Sequence, residues 1–418
     1  MDIIYKQLSI CLLCLVFTTP LQSQEKWAVG HIDPLATDPD LSLKDVVAAS
    51  LSRYPQYAVL QSMKEEAAAL EQRGNSWLSG SPDVSFQYEG EQPGEDVGFY
   101  AYQTEFNLPL WRWNQRNSGQ NLAKKAAGNT ENYTQALHFQ IVGLVRESLW
   151  DQALQEIRWT LAKDILKVAD RLVVSVKRRV ELGDLARSDL LLAQRYQLEK
   201  RSKVNQAEAE MMHARKRYSS LTGLKSKPAV YEEKKSKIVG ISSEHPALLL
   251  ANSEITVKMA ELKWLQTAGS GSPVLSVGLT RWRDQKNEPI TDGFNAKITL
   301  PFGGSTHAAP GIAAANRSLT EAQARHKAFL RNLNLEFHEA THSLEIDETE
   351  LEIAKQAKVI AEDYLRLSRI GFDAGEIRLF DLLNIEAEAH TTIGNAKQRA
   401  IMLKRDIARY NQTVGELP

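Results

Sequence analysis

Four stretches of the chain alternate apolar and polar side chains with a period of two. In the first, Val84, Phe86 and Tyr88 alternate with Asp83, Ser85, Gln87 and Glu89. After a segment rich in Gly, Pro and acid at 90–98, Tyr100, Tyr102, Thr104, Phe106 and Leu108 alternate with Ala101, Gln103, Glu105 and Asn107. Leu275, Val277 and Leu279 mark one face of a third run. In the fourth, Phe294, Ala296, Ile298 and Leu300 oppose Asn295, Lys297 and Thr299. Such alternation predicts strands with one apolar and one wet face. The rest reads as helix: 42–77 behind a capping Ser42, then 117–182 and 188–221, and later 246–267, 313–370 and 379–414. The two longest would span roughly 85–100 Å at 1.5 Å per residue, more than a globular core requires. Leu154, Leu161 and Val168 are seven apart, as are Ile346, Ile353, Ile360 and Leu367. That period suits knobs-into-holes packing on a neighbouring helix. It suits a long exposed antiparallel hairpin equally well.

The pattern occurs twice. Tyr54-Pro55 recurs as His245-Pro246, and 82–86 recurs as 273–277, both at a spacing of 191. The segment 106–110 recurs as 298–302, Gly183 through Asp189-Leu190-Leu191 as Gly375 through Asp381-Leu382-Leu383, and Tyr218…Gly223 as Tyr410…Gly415. These three pairs lie 192 apart, so one residue was gained between Pro273 and Pro301. Constant spacing over so many landmarks means two copies of one supersecondary unit. The first copy covers 24–223 and the second 245–418, with a linker at 224–244.

Runs of about nine to eleven residues have the length of tilted membrane strands. On that reading Phe86, Tyr88, Phe106, Leu275, Val277 and Ile298 face lipid. Asp83, Glu89, Glu105 and Lys297 face a lumen, where they either bias ion passage or merely solvate the wet side. Tyr, Phe and Trp282 near the strand ends suit an interfacial girdle. A small soluble sheet packed on the helices is the alternative. Four strands leave open edges and cannot close alone. Three copies would supply twelve strands, within the range of membrane barrels.

Charge and cysteines narrow the setting. The balance is 51 Lys and Arg against 52 Asp and Glu, which gives no electrostatic footprint for nucleic acid. Residues 1–23 carry Lys6, an apolar run from Leu8 to Phe17, Pro20 and a polar end, the pattern of a secretory signal peptide. Both cysteines, Cys11 and Cys14, lie inside it, and neither follows the small residue that lipid attachment needs, so no lipid anchor is expected. The mature chain would be cysteine-free and held by packing alone.

Three motifs tempt and fail. His338-Glu339-Ala340-Thr341-His342 matches the zinc-peptidase pattern, but it falls within a long helix with no cleft and no third ligand. The Gly/Ser stretch at 269–272 lacks the Gly-Lys-Ser/Thr ending of a phosphate loop. Asn132-Tyr133-Thr134 is a glycosylation sequon placed on a helix. No catalytic, cofactor or metal site is expected.

Other pieces carry a resemblance. They are the opening at Leu41 with Tyr54-Pro55, the strand ends Leu108-Pro109-Leu110 and Leu300-Pro301-Phe302-Gly303, and the two signatures Leu182-Gly183-x5-Asp189 and Ala374-Gly375-x5-Asp381. Together they are similar to the TolC-type outer-membrane efflux family over roughly 41–417. His245-Pro246 and Pro301-Phe302-Gly303-Gly304 look most like its cobalt–zinc–cadmium resistance branch. Trp111-Arg112-Trp113 departs from the family, where an apolar residue and glycine are usual. The resemblance implies a mainly α fold with a membrane β-barrel: a homotrimer whose twelve-stranded barrel in the outer membrane continues as an α-helical barrel across the periplasm. It implies a passive duct for heavy-metal cations, with a periplasmic adaptor and an inner-membrane resistance–nodulation–division pump as partners. Leu182, Gly183, Asp189, Ala374, Gly375 and Asp381 would form the tips that close the aperture and dock the adaptor; their bland role is helix capping. The rival readings are a drug or organic-solute duct of the same fold, the adaptor itself, or a coiled-coil scaffold.

Overall fold

The computed structural model describes residues 34–91, 94 and 97–418. The expected signal peptide and the start of the first copy, up to residue 33, lie outside them. In chain order the elements are β1 (Ala36–Asp38), α1 (Leu43–Arg53), α2 (Gln56–Asn75), β2 (Asp83–Gly90), β3 (Tyr100–Pro109), α3 (Gln115–Glu181) and α4 (Arg187–Thr222). They continue with β4 (Ser226–Pro228), α5 (Pro246–Ala268), β5 (Val274–Arg283), β6 (Thr291–Thr299), α6 (Ser305–Asp373) and α7 (Leu379–Thr413). Both copies thus run helix, strand pair, long helix, helix. At 67 and 69 residues, α3 and α6 are each about 100 Å long.

Two helix boundaries differ from expectation. The helix over 42–77 is two helices, because proline disfavours the helical region for the residue before it; Tyr54 sits extended at φ −74°, ψ 126°. The first of them opens on a capping box. Ser42 Oγ accepts from the Asp45 N–H at 3.2 Å and the Asp45 carboxylate accepts from the Ser42 N–H at 3.0 Å. The second long helix begins at Ser305 rather than near 313 and takes Pro310 inside it. That proline removes a single bond, to the Thr306 carbonyl, and the helix runs on through it.

The strands form one four-stranded antiparallel sheet in the order β2-β3-β5-β6, so the two hairpins join through β3 and β5. β1 pairs in parallel with β4. Below the sheet α3 packs on α2, α4, α5 and α7, whereas α6 packs on α5 and α7. One apolar core lies midway, where Val46 and Val47 meet Leu137, Ile141, Val142, Val145, Leu149 and Tyr218. The duplicated tyrosines have a common task. Tyr218 Oη donates to the Ser226 carbonyl and Tyr410 Oη to the Ile238 carbonyl, both at 2.9 Å, so each copy grips one end of segment 224–244. Between them Arg146 forks onto Glu233 (2.9 and 2.5 Å) and reaches Gln412 at 2.6 Å.

Candidate functional site

The strand registers sort the side chains by face. Val84 pairs with Phe106, Phe106 with Val277, Leu108 with Leu275, and Leu275 with Ile298. Cross-strand partners point to the same side. Phe86, Tyr88, Phe106, Leu275, Val277 and Ile298 therefore share one face. A mid-strand row on it reads Phe86–Thr104–Leu279–Phe294. Among the described residues nothing covers this face: Phe86 is 67% exposed, Leu279 68% and Phe294 74%. Its far end carries a tyrosine cluster, Tyr102 lying 5.0 Å from Tyr88 and 5.5 Å from Tyr100, with the Arg283 guanidinium 4.9 Å over the Tyr100 ring.

Asp83, Glu89, Glu105 and Lys297 occupy the opposite face. Glu105 is only 5% exposed, because its neighbours close over it. Lys297 Nζ stands 3.1 Å from one carboxylate oxygen and Asn295 Nδ2 donates to the other at 2.7 Å, while Gln103 also donates. Both residues reach Glu105 across β5 because Gly278 lies between them. A Cβ there would run into the Thr104 carbonyl and stand 2.9 Å from Glu105 Cα. Asn107 extends the network, donating to Asp83 (2.8 Å) and Ser85 (3.1 Å) and accepting from Ser276 (2.6 Å). Glu89 is exposed near the far end. Trp282, which pairs with Ala101 and Thr291, also falls on this polar face, away from the tyrosines.

Sequence reasoning missed the aromatics where the sheet meets the helices. Trp77, Trp113 and Phe302 are 91%, 90% and 94% exposed, each in the short link between a helix and a strand. Their position at element boundaries was the available signal. The Trp111-Arg112-Trp113 departure has a structural consequence. The second copy turns on Gly303 at φ 70°, which aligns with Trp111. The first copy turns three residues later on Asn114 at φ 61°, the one non-glycine of positive φ among the described residues. Trp111 Nε1 donates to the Ser76 carbonyl at 3.0 Å and Arg112 to the Ala268 carbonyl at 3.1 Å, pinning that turn.

At the opposite end, α3–α4 and α6–α7 reverse side by side. Gly183 (φ 84°) and Gly375 (φ 81°) supply the left-handed residue of a Schellman motif. In the first, Asp184 N–H bonds the Arg179 carbonyl (2.8 Å) and Gly183 N–H the Val180 carbonyl (3.1 Å). In the second, Glu376 bonds Gly371 (2.8 Å) and Gly375 bonds Phe372 (3.1 Å). Leu182, Ala374 and both glycines are exposed. The two aspartates diverge. Asp189 accepts from the Ala186 N–H at 3.2 Å, a cap, whereas Asp381 takes the Arg378 guanidinium at 3.0 Å.

One apolar core lies under both tips, built from Val176, Phe372, Leu379, Leu382 and Leu383. Arg179 ties them, donating to the Phe372 carbonyl at 3.1 Å with its guanidinium 4.8 Å over the Phe372 ring. One turn above, the buried Glu386 accepts from Arg369 at 3.0 Å, beside Tyr196 and His390. Burial, and the charges of Arg369 and Lys200, hold the His390 imidazole below its ordinary value. Burial does the same to His245, whose Nδ1 accepts from the Ala247 N–H at 3.3 Å and so caps α5.

His338 and His342 lie 6.2 Å apart, exposed on α6. Among the described residues no group of three or more His, Cys, Asp or Glu gathers to hold a metal, and no helix is long and apolar enough to cross a membrane.

No family model matches the chain, and no curated protein matches it by sequence. Solved structures do. The chain superposes on CusC, a protein described for transmembrane channel formation, with a TM-score of 0.71 and 15% identity over 90% of this chain and 92% of that one. The outer membrane channel CmeC of Campylobacter jejuni gives 0.72 and 16% over 89% and 85%. The open-state outer membrane channel MtrE of Neisseria gonorrhoeae gives 0.66 and 14% over 90% and 89%. These neighbours are channels rather than enzymes. The fold is that of these TolC-like channels, mostly long helices joined to a four-stranded sheet. The likeness does not single out the cobalt–zinc–cadmium branch.

Proposed function

We propose that this chain is the outer-membrane channel subunit of a tripartite efflux system. Three copies join their sheets into a twelve-stranded barrel in the outer membrane, and their long helices into a tube through the periplasm. One observation carries the reading. Among the described residues a four-stranded sheet presents an uncovered apolar face, a polar network on its other face and two unpaired edges, β2 and β6. In a membrane a sheet satisfies its edges only by closing. The apolar face then meets lipid. The tyrosines at one end and Trp77, Trp113 and Phe302 at the other lie where interfacial girdles lie.

Residues 1–23 direct export, and Asp83, Glu89, Glu105 and Lys297 line the lumen. The tips at Leu182-Gly183 and Ala374-Gly375 form the periplasmic mouth and dock the adaptor. Passage is passive, and the energy comes from an inner-membrane resistance–nodulation–division pump. The cargo assigned is heavy-metal cations, on the resemblance of residues around His245 and Pro301 alone. The test is sensitivity of a strain lacking the chain. Cobalt, zinc and cadmium sensitivity restored by the gene supports the cargo; a drug phenotype alone replaces it with organic solutes. No phenotype together with a soluble protein removes the channel reading. Gly375→Val should weaken adaptor cross-linking, and unchanged cross-linking and export would remove the docking role of that tip.

A further inference from the structure

Beside the tip core, α3, α4 and α7 enclose a cavity of about 280 Å³. Among the described residues its lining carries three basic side chains, Arg158, Lys200 and Lys203, and no acidic one. Two polar atoms buried in its wall have no hydrogen-bond partner among the described residues: Tyr196 Oη and His390 Nε2. Tyr196 as a whole is only 8% exposed. A buried donor costs stability unless something accepts from it. The acidic groups close by are already matched. Glu386, beside Tyr196, takes Arg369 at 2.9 and 3.0 Å. Glu199 takes Lys200 at 3.0 Å, whose Nζ stands 4.5 Å from the Tyr196 ring. Arg158 and Lys203 meet only amide oxygens, Gln398 at 3.0 Å and Gln155 at 3.4 Å for the first and Gln206 at 3.4 Å for the second. The second copy shows that such helices form without these groups. At the 192-residue spacing Arg158, Lys200 and Lys203 correspond to Glu350, Thr392 and Asn395, and Tyr196 to Glu388.

We propose that this cavity binds a small oxyanion, a phosphate or a carboxylate, which accepts from Tyr196 Oη and His390 Nε2 and neutralises Arg158, Lys200 and Lys203. The donor set decides the class of ligand. A hydroxyl, an imidazole N–H, two ammonium groups and a guanidinium ask for several acceptor oxygens, which chloride does not have. A cation or an amine would meet three like charges there. Lys200, Lys203 and Tyr196 belong to α4, Arg158 to α3 and His390 to α7. One bound anion therefore ties α7 to both helices of the first hairpin. The site lies within a single chain and stands apart from the channel reading.

The test is calorimetric titration of inorganic phosphate into the purified full-length chain, against sodium chloride of equal ionic strength and with acetate as competitor. Saturable binding is expected, with a matching rise in Tm. Displacement by acetate identifies a general oxyanion site and indifference to acetate a phosphate site; either supports the proposal. Tyr196→Phe should weaken phosphate binding roughly tenfold or more, the worth of a hydrogen bond to a charged group. It should leave Tm without phosphate unchanged, because the hydroxyl has no partner to lose. Lys203→Gln, at an exposed position, should weaken binding a few-fold. Lys167→Gln, exposed on α3 outside the cavity, should change nothing. Heat no greater than that of chloride means that the cavity holds water only, and overturns the site. Binding that survives both Tyr196→Phe and Lys203→Gln places the anion elsewhere and overturns it too. A Tyr196→Phe chain melting well below wild type without phosphate would show the hydroxyl serving Glu386, whose Oε2 is also unmatched, and would count against the site.

Discussion

Phe86 and Gln87 are neighbours in the same edge strand, both exposed and on opposite faces. Replacing each in turn with arginine isolates the meaning of the faces. Phe86 lies in the mid-strand row with Leu279 and Phe294, so an arginine there would sit near the middle of the bilayer. Arginine on the lipid face at that depth costs about 2–4 kcal/mol per chain. That corresponds to roughly 30- to 700-fold in the folding equilibrium, at 1.4 kcal/mol per tenfold. Phe86→Arg also removes the Tyr102 ring contact, 6.2 Å between centroids, worth about 0.5–1.5 kcal/mol beyond burial. Gln87→Arg enters the wet face, where arginine stays solvated and the expected change is within about 0.5 kcal/mol. The assay is urea-titrated folding into lipid vesicles, with outer-membrane abundance in cells as a second reading. Equal effects of the two substitutions, or greater damage from Gln87→Arg, would refute the assignment of lipid and lumen faces.

The four glycines Gly183, Gly375, Gly128 and Gly311 all have open space where a Cβ would stand, so alanine probes backbone alone. At the left-handed Gly183 and Gly375 it should cost about 1–2 kcal/mol, seen as faster amide exchange at the tips. In the helix interiors at Gly128 and Gly311 it should stabilise by about 0.5–1 kcal/mol. Arg146 is 4% exposed against Glu233, so Arg146→Ala should destabilise by about 3–5 kcal/mol in denaturant titration, and Arg146→Met with Glu233→Leu should recover most of that. His245 and His390 are both held below their ordinary value, so the unfolded chain takes up protons first as pH falls. Their contribution is full above about pH 6.5 and shrinks on acidification, so Tm should fall between about pH 7 and 5, and less steeply in His390→Leu, which installs the residue found at position 198.

Much of this was legible because period and punctuation agree. Alternation marked all four strands and their faces, since register in a two-faced sheet leaves little freedom. Gly183 and Gly375 marked the reversals because only a left-handed residue completes such a turn. What stayed hidden depends on contacts between segments far apart in the chain. The grip of Tyr218 and Tyr410 on 224–244, the Arg146–Glu233 pair and the Arg179–Phe372 tie have no local signature. Asn114 took over the turn from the position of Gly303 because bulky Trp111 cannot hold a left-handed conformation cheaply. The heptads of α6 were plain in sequence, but not that Ile346, Ile353, Ile360 and Leu367 stay exposed while Leu344, Leu365 and Phe372 pack.

The central claim is that several copies close their sheets into one lipid-embedded ring. Its most direct test is the protein mass of the particle extracted from the outer membrane in detergent, measured by light scattering with the detergent contribution subtracted. Three chains per particle is the predicted result. A single chain, soluble without detergent and absent from the membrane fraction, would contradict it.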